Sequence, residues 1–280
     1  MKPLRTILGT TLLLPTATVL PATADAQSVP PATNSVIADG HVDLGPRFVD
    51  GKWTIQLRDD TVDPAVWRPL EDVVIQANSK SKVAVPADPA YAFLGKAGQP
   101  VWVIPQVQQA GVVWPGWNTQ DPQVASRVDR EVTWSLEGVQ GPGTFTLFLN
   151  SDFGKPAPVF DSRKPFPQQT GIDVNTHVHG NWTFDAQGTY LLNVAMTAKL
   201  TDGTSVTDRR TLRLYAGDGD PRTALAATAT PSATPSATAG ATIPAADDNI
   251  PTWWIATGAG AVVLLGAVAL IIRRTRRTTP

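Results

Sequence analysis

Cysteine is absent from the 280 residues of this chain. Disulfides are thereby excluded as a source of stability, and thiolate metal sites as a source of chemistry. A charge imbalance is missing too, because 23 Lys and Arg stand against 24 Asp and Glu. A nucleic-acid partner, which calls for a basic face, is not expected. Neither G-x-S-x-G nor H-E-x-x-H occurs, so the chain is not read as an enzyme. Between residues 36 and 217 no stretch keeps a helical apolar period for three turns, which removes helical bundles from consideration. Histidine is scarce as well, with three in the whole sequence.

What is present begins with the two ends. Lys2 and Arg5 precede a short apolar run over 7–14, and Ala24-Asp25-Ala26 supplies a small-x-small cleavage site. This is the pattern of a secretory signal peptide over residues 1–26. Near the other end, "WWIATGAGAVVLLGAVALII" runs from Trp253 to Ile272 without a charge. As a helix it would cover about 30 Å, the thickness of a bilayer's hydrocarbon core. "RRTRR" follows at once, and the positive-inside rule keeps residues 273–280 in the cytoplasm. The expectation is a single-pass plasma-membrane protein with its body outside the cell. No LPxTG sortase signal stands before the helix, so the helix itself is the anchor. Residues 218–252 are rich in Ala, Thr, Pro and Ser and contain "PSAT" twice in succession. Such a composition buries too little to offset chain entropy and reads as an extended, disordered stalk.

Residues 36–217 form the body. Short alternating runs such as "KWTIQLRDD", "PVWVIPQ", "GTFTLFLN" and "GTYLLNVAMTAKL" are separated by Gly, Pro, Asp and Asn. The pattern predicts an all-β fold, best described as an immunoglobulin-like antiparallel β-sandwich without its disulfide. Asp50-Gly51 is a two-residue hairpin turn that sets Phe48 opposite Trp53, Pro46 opposite Ile55 and Leu44 opposite Leu57. Alternation then places His41 and Asp43 on the other face, near Arg58 and Asp60. Pro46 marks an edge or a local break. A second hairpin turns through Asp202-Gly203-Thr204, which pairs Leu200 with Val206 and Leu192 with Leu214.

"THVHGNWTF" receives the same treatment. Val178, Gly180, Trp182 and Phe184 share the core face, while His177, His179, Asn181 and Thr183 share the other. The two imidazoles then sit about 7 Å apart at their Cα atoms and can converge on one ion. His41-x-Asp43 has the same spacing and also faces out. Three imidazoles and one carboxylate would complete a four-coordinate site for a divalent metal, zinc or manganese. The competing reading makes all four solvated polar positions, and the choice depends on where the two strands lie relative to each other.

"GVVWPGWNTQDP" places Trp114 and Trp117 around a Pro-Gly turn. The indoles either wall a ligand pocket, with Asn118 and Asn181 as its polar members, or close one end of the sandwich. "FLNSDFGKP" (148–156) is a second Gly-containing loop that could join such a site, and Asn181-Trp182-Thr183 matches a glycosylation sequon.

Taken together, "GHVDLGPRF", "DGKWTIQLRDDT", "PAVWR", "AFLGKAGQPVWVIPQVQQAGVVWPGWNTQDP" and "THVHGNWTFDAQGTYLLNVAMTAKLTDGTSVTD" resemble the actinobacterial surface-anchored protein domain, found in choice-of-anchor M domain proteins. The resemblance covers residues 40–217 and implies association with ABC-type transporters that look like zinc or manganese importers. Its motif strand maps onto His177, His179, Asn181 and Trp182, and its opening motif onto His41 and Asp43. Larger members repeat the domain, whereas one copy stands here. The expected function is capture of a divalent metal, or of a metal-bearing small molecule, at the cell surface for such an importer. Ligands would be His41, His177 and His179, with Asp43 a fourth ligand or an orienter. The alternative is a structural or adhesive module that contacts cell wall or another protein without a metal.

Overall fold

The computed structural model describes residues 34–151 and 154–229. Strands form wherever apolar and polar residues alternate. In chain order they begin with β1 (Ser35–Ile37), β2 (Gly40–Val49), β3 (Lys52–Asp59), β4 (Val66–Pro69) and β5 (Val73–Ala77). There follow β6 (Lys82–Ala84), β7 (Pro100–Ile104), β8 (Val113–Asn118), β9 (Val128–Gln140) and β10 (Phe145–Asn150). The last six are β11 (Pro156–Asp161), β12 (Gln168–Asp173), β13 (His177–His179), β14 (Asn181–Phe184), β15 (Gly188–Leu200) and β16 (Ser205–Ala216). The fold is all-β.

The strands make three sheets. One has six strands in the order β1-β5-β16-β15-β9-β12, and a second has five in the order β11-β10-β14-β7-β6. The third, which carries the site, runs β13-β8-β2-β3-β4. They pack on one apolar cluster that draws Leu44 and Leu57 from the third sheet, Phe145 and Trp182 from the second, and Trp134 and Met196 from the first. Trp134 is buried at its centre, with ring centroids 5.3 Å from Trp117, 4.9 Å from Phe160 and 6.1 Å from Trp182.

A wholly antiparallel sandwich is not what forms. β1 with β5, β5 with β16, and β2 with β8 pair in parallel. Parallel neighbours need long crossover connections, and the intervening strands of the other sheets provide them.

The first hairpin has the expected register, with Phe48 opposite Trp53, Pro46 opposite Ile55 and Leu44 opposite Leu57. Asp50 and Gly51 take φ values of 49° and 77°, as a primed turn requires. Pro46 lies beyond the β2–β8 ladder, whose last pair is Leu44 with Trp117, so its missing N–H costs no bond there. The second hairpin corrects the expectation. Its loop is three residues long and Gly203 has φ 88°, but Leu200 N already bonds Thr204 O. Gly203 is therefore the last loop residue, the usual position for a left-handed residue after a type I turn. As a result Leu192 faces Leu212 and Tyr190 faces Leu214.

Two further boundaries move. Residues 218–226, assigned by composition to the stalk, belong to the body: a helical turn at Thr223–Ala226 buries Ala224 against Val74 and Tyr215, and Asp218 accepts a hydrogen bond from Ser79 N. Small residues that bury little alone still pack when a sheet offers a matching groove. The single strand expected over 176–184 breaks at Gly180 into β13 and β14, which lie in different sheets. A Cβ at Gly180 would meet the side chains of Leu147 and Trp117 at 2.9 and 3.1 Å, so a larger residue would have to displace core side chains where the chain crosses. The signal peptide, the stalk beyond residue 229, the membrane helix and the basic tail lie outside the described residues. Among the described residues, no helix is long and apolar enough to cross a membrane.

Polar ties fix the site sheet on the six-stranded sheet. Trp53 Nε1 donates to Met196 O at 2.9 Å. Ile55 N, just beyond the β3–β4 ladder that starts at Gln56, donates to Asp208 Oδ2 at 2.8 Å. Arg210 Nε holds the same oxygen at 2.8 Å. Asp208→Ala leaves the Ile55 amide without its partner and is expected to lower unfolding free energy by about 1–3 kcal/mol in a denaturant titration.

Candidate metal centre

The geometry of the site follows from three adjacent strands. β8 lies between β2, its parallel neighbour, and β13, its antiparallel one. Along the ladders His41 sits beside Trp114, Gly116 has Asp43 on one side and His179 on the other, and His177 sits beside Asn118. Residues side by side on neighbouring strands point to the same face. His41, Asp43, His177 and His179 therefore project from one face of one sheet, from strands that flank a third.

One ligand atom from each of these four residues lies within 4.8 Å of the other three. His177 Nε2 is 2.9 Å from Asp43 Oδ1, and His41 Nε2 is 3.5 Å from the same oxygen. The imidazole centroids are 5.3, 5.1 and 4.8 Å apart. Four donors at ~2.1 Å around a tetrahedral ion are separated from each other by about 3.4 Å. The observed group reaches that spacing with side-chain shifts of the order of 1 Å.

Gly116 makes the convergence possible. A Cβ there would come within 2.9 Å of His179 Cε1 and of Val178 O, and would collide with Asp43 Oδ1. The space a side chain would fill is the space through which Asp43 reaches across β8 to the histidines.

Neighbouring groups orient the ring and carboxylate donors. Asp60, which continues the β2–β3 ladder through its N–H to His41 O, places Oδ2 2.7 Å from His41 Nδ1. That fixes the ring and turns Nε2 toward Asp43. Arg58 Nε stands 2.9 Å from Asp60 Oδ1, close enough for an ion pair though not aligned as a hydrogen bond. Asn118 Nδ2 donates to Asp43 Oδ2 at 3.1 Å. Trp114 stacks on His179 with centroids 3.7 Å apart and planes 10° from parallel, and its own Nε1 donates to Gln106 O at 2.9 Å.

Burial is graded across the group. The Asp43 side chain is 1% exposed and that of His177 is 32% exposed, so the open side of the site is at His177. Burial pushes the His179 pKa down to about 4; the Asp43 charge opposes this, while His177 and His41 add to it. Its ring is neutral at neutral pH, with a lone pair free for coordination. His41 Nε2 and both nitrogens of His179 are buried without a well-aligned hydrogen bond, and His41 Nε2 has the Asp43 carboxylate at 3.5 Å.

The remaining candidates divide. "WPGW" is not a turn but part of β8, and three residues apart on a strand means opposite faces. Trp114 accordingly stands at the site, whereas Trp117 is buried on the core side against Trp134. Asn118 touches Asp43 directly. Asn181 lies beyond the break at Gly180, buried, with its Oδ1 accepting from Gln106 N at 2.9 Å. It is neither a pocket residue nor an accessible glycosylation acceptor, and it supports the segment that holds Trp114. Asn150 N donates to Gln106 Oε1 at 2.8 Å, which ties the end of β10 to the residue that holds Trp114.

No protein-family model, curated protein or solved structure matches the chain.

Gly116→Ala is expected to force β13 and Asp43 apart, since the contacts include a backbone carbonyl that has little freedom to move. Thermal or chemical denaturation should show a loss of about 1–3 kcal/mol.

Proposed function

We propose that this domain is a cell-surface binding module that holds one divalent cation, zinc foremost, between His41, Asp43, His177 and His179. The convergence of one donor atom from each residue within 4.8 Å carries the reading. Buried imidazole nitrogens without a well-aligned hydrogen bond support it, because a buried acceptor left unsatisfied costs about 1–3 kcal/mol that a coordinated cation would relieve. Three imidazoles and one carboxylate suit zinc, which is satisfied by four such donors. Manganese favours more oxygen ligands and lies lower in the affinity order of divalent metals. A full set of four protein donors leaves no position for a reacting water, so we read the site as binding rather than catalytic.

Display at the cell surface, on a stalk and a single membrane helix, rests on the signal-peptide pattern and the uncharged run over 253–272. Delivery to an ABC-type importer rests on the resemblance to the actinobacterial surface-anchored domain. We read the sandwich as immunoglobulin-like on the strength of Tyr190. Its hydroxyl donates to Ala186 O at 2.9 Å at the start of β15, as in the tyrosine corner of such folds, and burial pushes its pKa up to about 12.

Equilibrium dialysis of the full-length protein against zinc, followed by metal analysis, is expected to find one ion per chain. His177→Ala/His179→Ala should abolish it. Equal uptake by wild type and double variant, or none by wild type, overturns the proposal. In the same assay Asp60→Ala, which leaves His41 Nδ1 without this partner, is expected to weaken zinc affinity about 10–100-fold.

A further inference from the structure

Asp43 is nearly devoid of solvent contact, yet its two oxygens meet different surroundings. Oδ1 faces the imidazoles, 2.9 Å from His177 Nε2 and 3.5 Å from His41 Nε2. Oδ2 is occupied by Asn118 Nδ2 at 3.1 Å. The Asn118 amide has a determined orientation, because its Oδ1 accepts from Gln120 N at 2.6 Å. The side chain is buried and its strand position is fixed by pairing with His177. Rotating the amide would lose the Gln120 bond and set oxygen against oxygen at Asp43.

Resting on the reading of these four side chains as a metal site, we infer that Asn118 sets which metal the site selects, by holding Asp43 to one coordinating oxygen. A carboxylate can give a cation one oxygen or two. Zinc in a four-coordinate site needs one, in company with three imidazole nitrogens. Manganese prefers a higher coordination number and more oxygen, which a two-oxygen carboxylate would begin to supply. A buried amide donor on Oδ2 stabilises the first mode and competes directly with the second. Arg58, opposite Asp43 on β3, pairs with Asp60 instead and leaves this constraint to Asn118. The ligands alone do not distinguish the two modes; the residue behind the carboxylate does.

The test compares zinc and manganese affinities of the full-length wild type, Asn118→Ala and Asn118→Ser by competition dialysis, together with visible spectra of the cobalt-loaded forms. Wild type is expected to prefer zinc strongly and to show the intense bands of four-coordinate cobalt. Asn118→Ala should reduce the zinc-to-manganese affinity ratio about tenfold or more, a typical effect for a group behind a ligand, and weaken the cobalt bands toward those of higher coordination. Asn118→Ser, which keeps a small donor, should fall between and serves as the reporter if the alanine variant does not fold. An unchanged ratio and unchanged cobalt spectrum in variants that still bind zinc overturns the role of Asn118 and leaves the metal site standing. Absence of zinc binding by wild type overturns both.

Discussion

The site depends on a side chain that is not there. Its donors come in two pairs from β2 and β13, and β8 runs between those strands. Adjacent strands are about 4.8 Å apart, so the two donor strands are separated by nearly 10 Å. An aspartate and a histidine can meet over that gap only if the middle strand presents nothing in between. Gly116, flanked in register by Asp43 and by His179, meets that requirement. Any other residue at this position would separate the four donors into two unrelated polar pairs on a solvated face.

Around that gap three of the four donors have a separate means of support. Asp60 holds His41, Asn118 holds Asp43, and the Trp114 indole lies flat on His179. The indole is held in turn by Gln106, whose N–H is bound by the buried Asn181. His177 has the most exposure and only the Asp43 carboxylate as its polar neighbour within hydrogen-bond reach. The arrangement keeps a carboxylate and several imidazole nitrogens out of water with few partners, which carries a cost to folding. Such local disagreement with the rules of stable packing is expected where function competes with stability.

How far this was legible in the sequence differs from residue to residue. Period-two alternation placed His41 with Asp43, and His177 with His179, on outward faces, because strand geometry leaves little freedom once the apolar set is known. Asp50-Gly51 fixed a register that predicted Asp60 near His41. What alternation lacks is any statement about which strands are neighbours, so the meeting of the two pairs was beyond reach. The Pro115-Gly116 dipeptide carried the opposite message, since it usually marks a turn. Here both residues are extended within β8: Pro115 is tolerated in the ladder, and Gly116 serves close approach rather than a positive φ. Misreading that strand put Trp114 and Trp117 on one surface when the pleat sends them to two. Gly180 misled in the same way, because a glycine that lets the chain leave one sheet for another looks identical to one inside a continuous strand.

The topology also bears on what an ion at this site would do to the protein. β13 is three residues long and is an edge strand with β8 as its one neighbour, so its backbone pairing is brief and exposed on one side. β2 is long and internal, bonded to β8 and β3. A cation shared by His41, Asp43, His177 and His179 would join the weakest strand of the sheet to one of its firmest, across the intervening β8. Binding free energy would then appear as order at the edge, because ligand that favours the assembled site stabilises it in proportion to its saturation. The same link works in reverse. With His177 on the open side and β13 held by few bonds, opening of that edge would remove two donors together, so that capture and release of a cation would share one structural origin in a short strand.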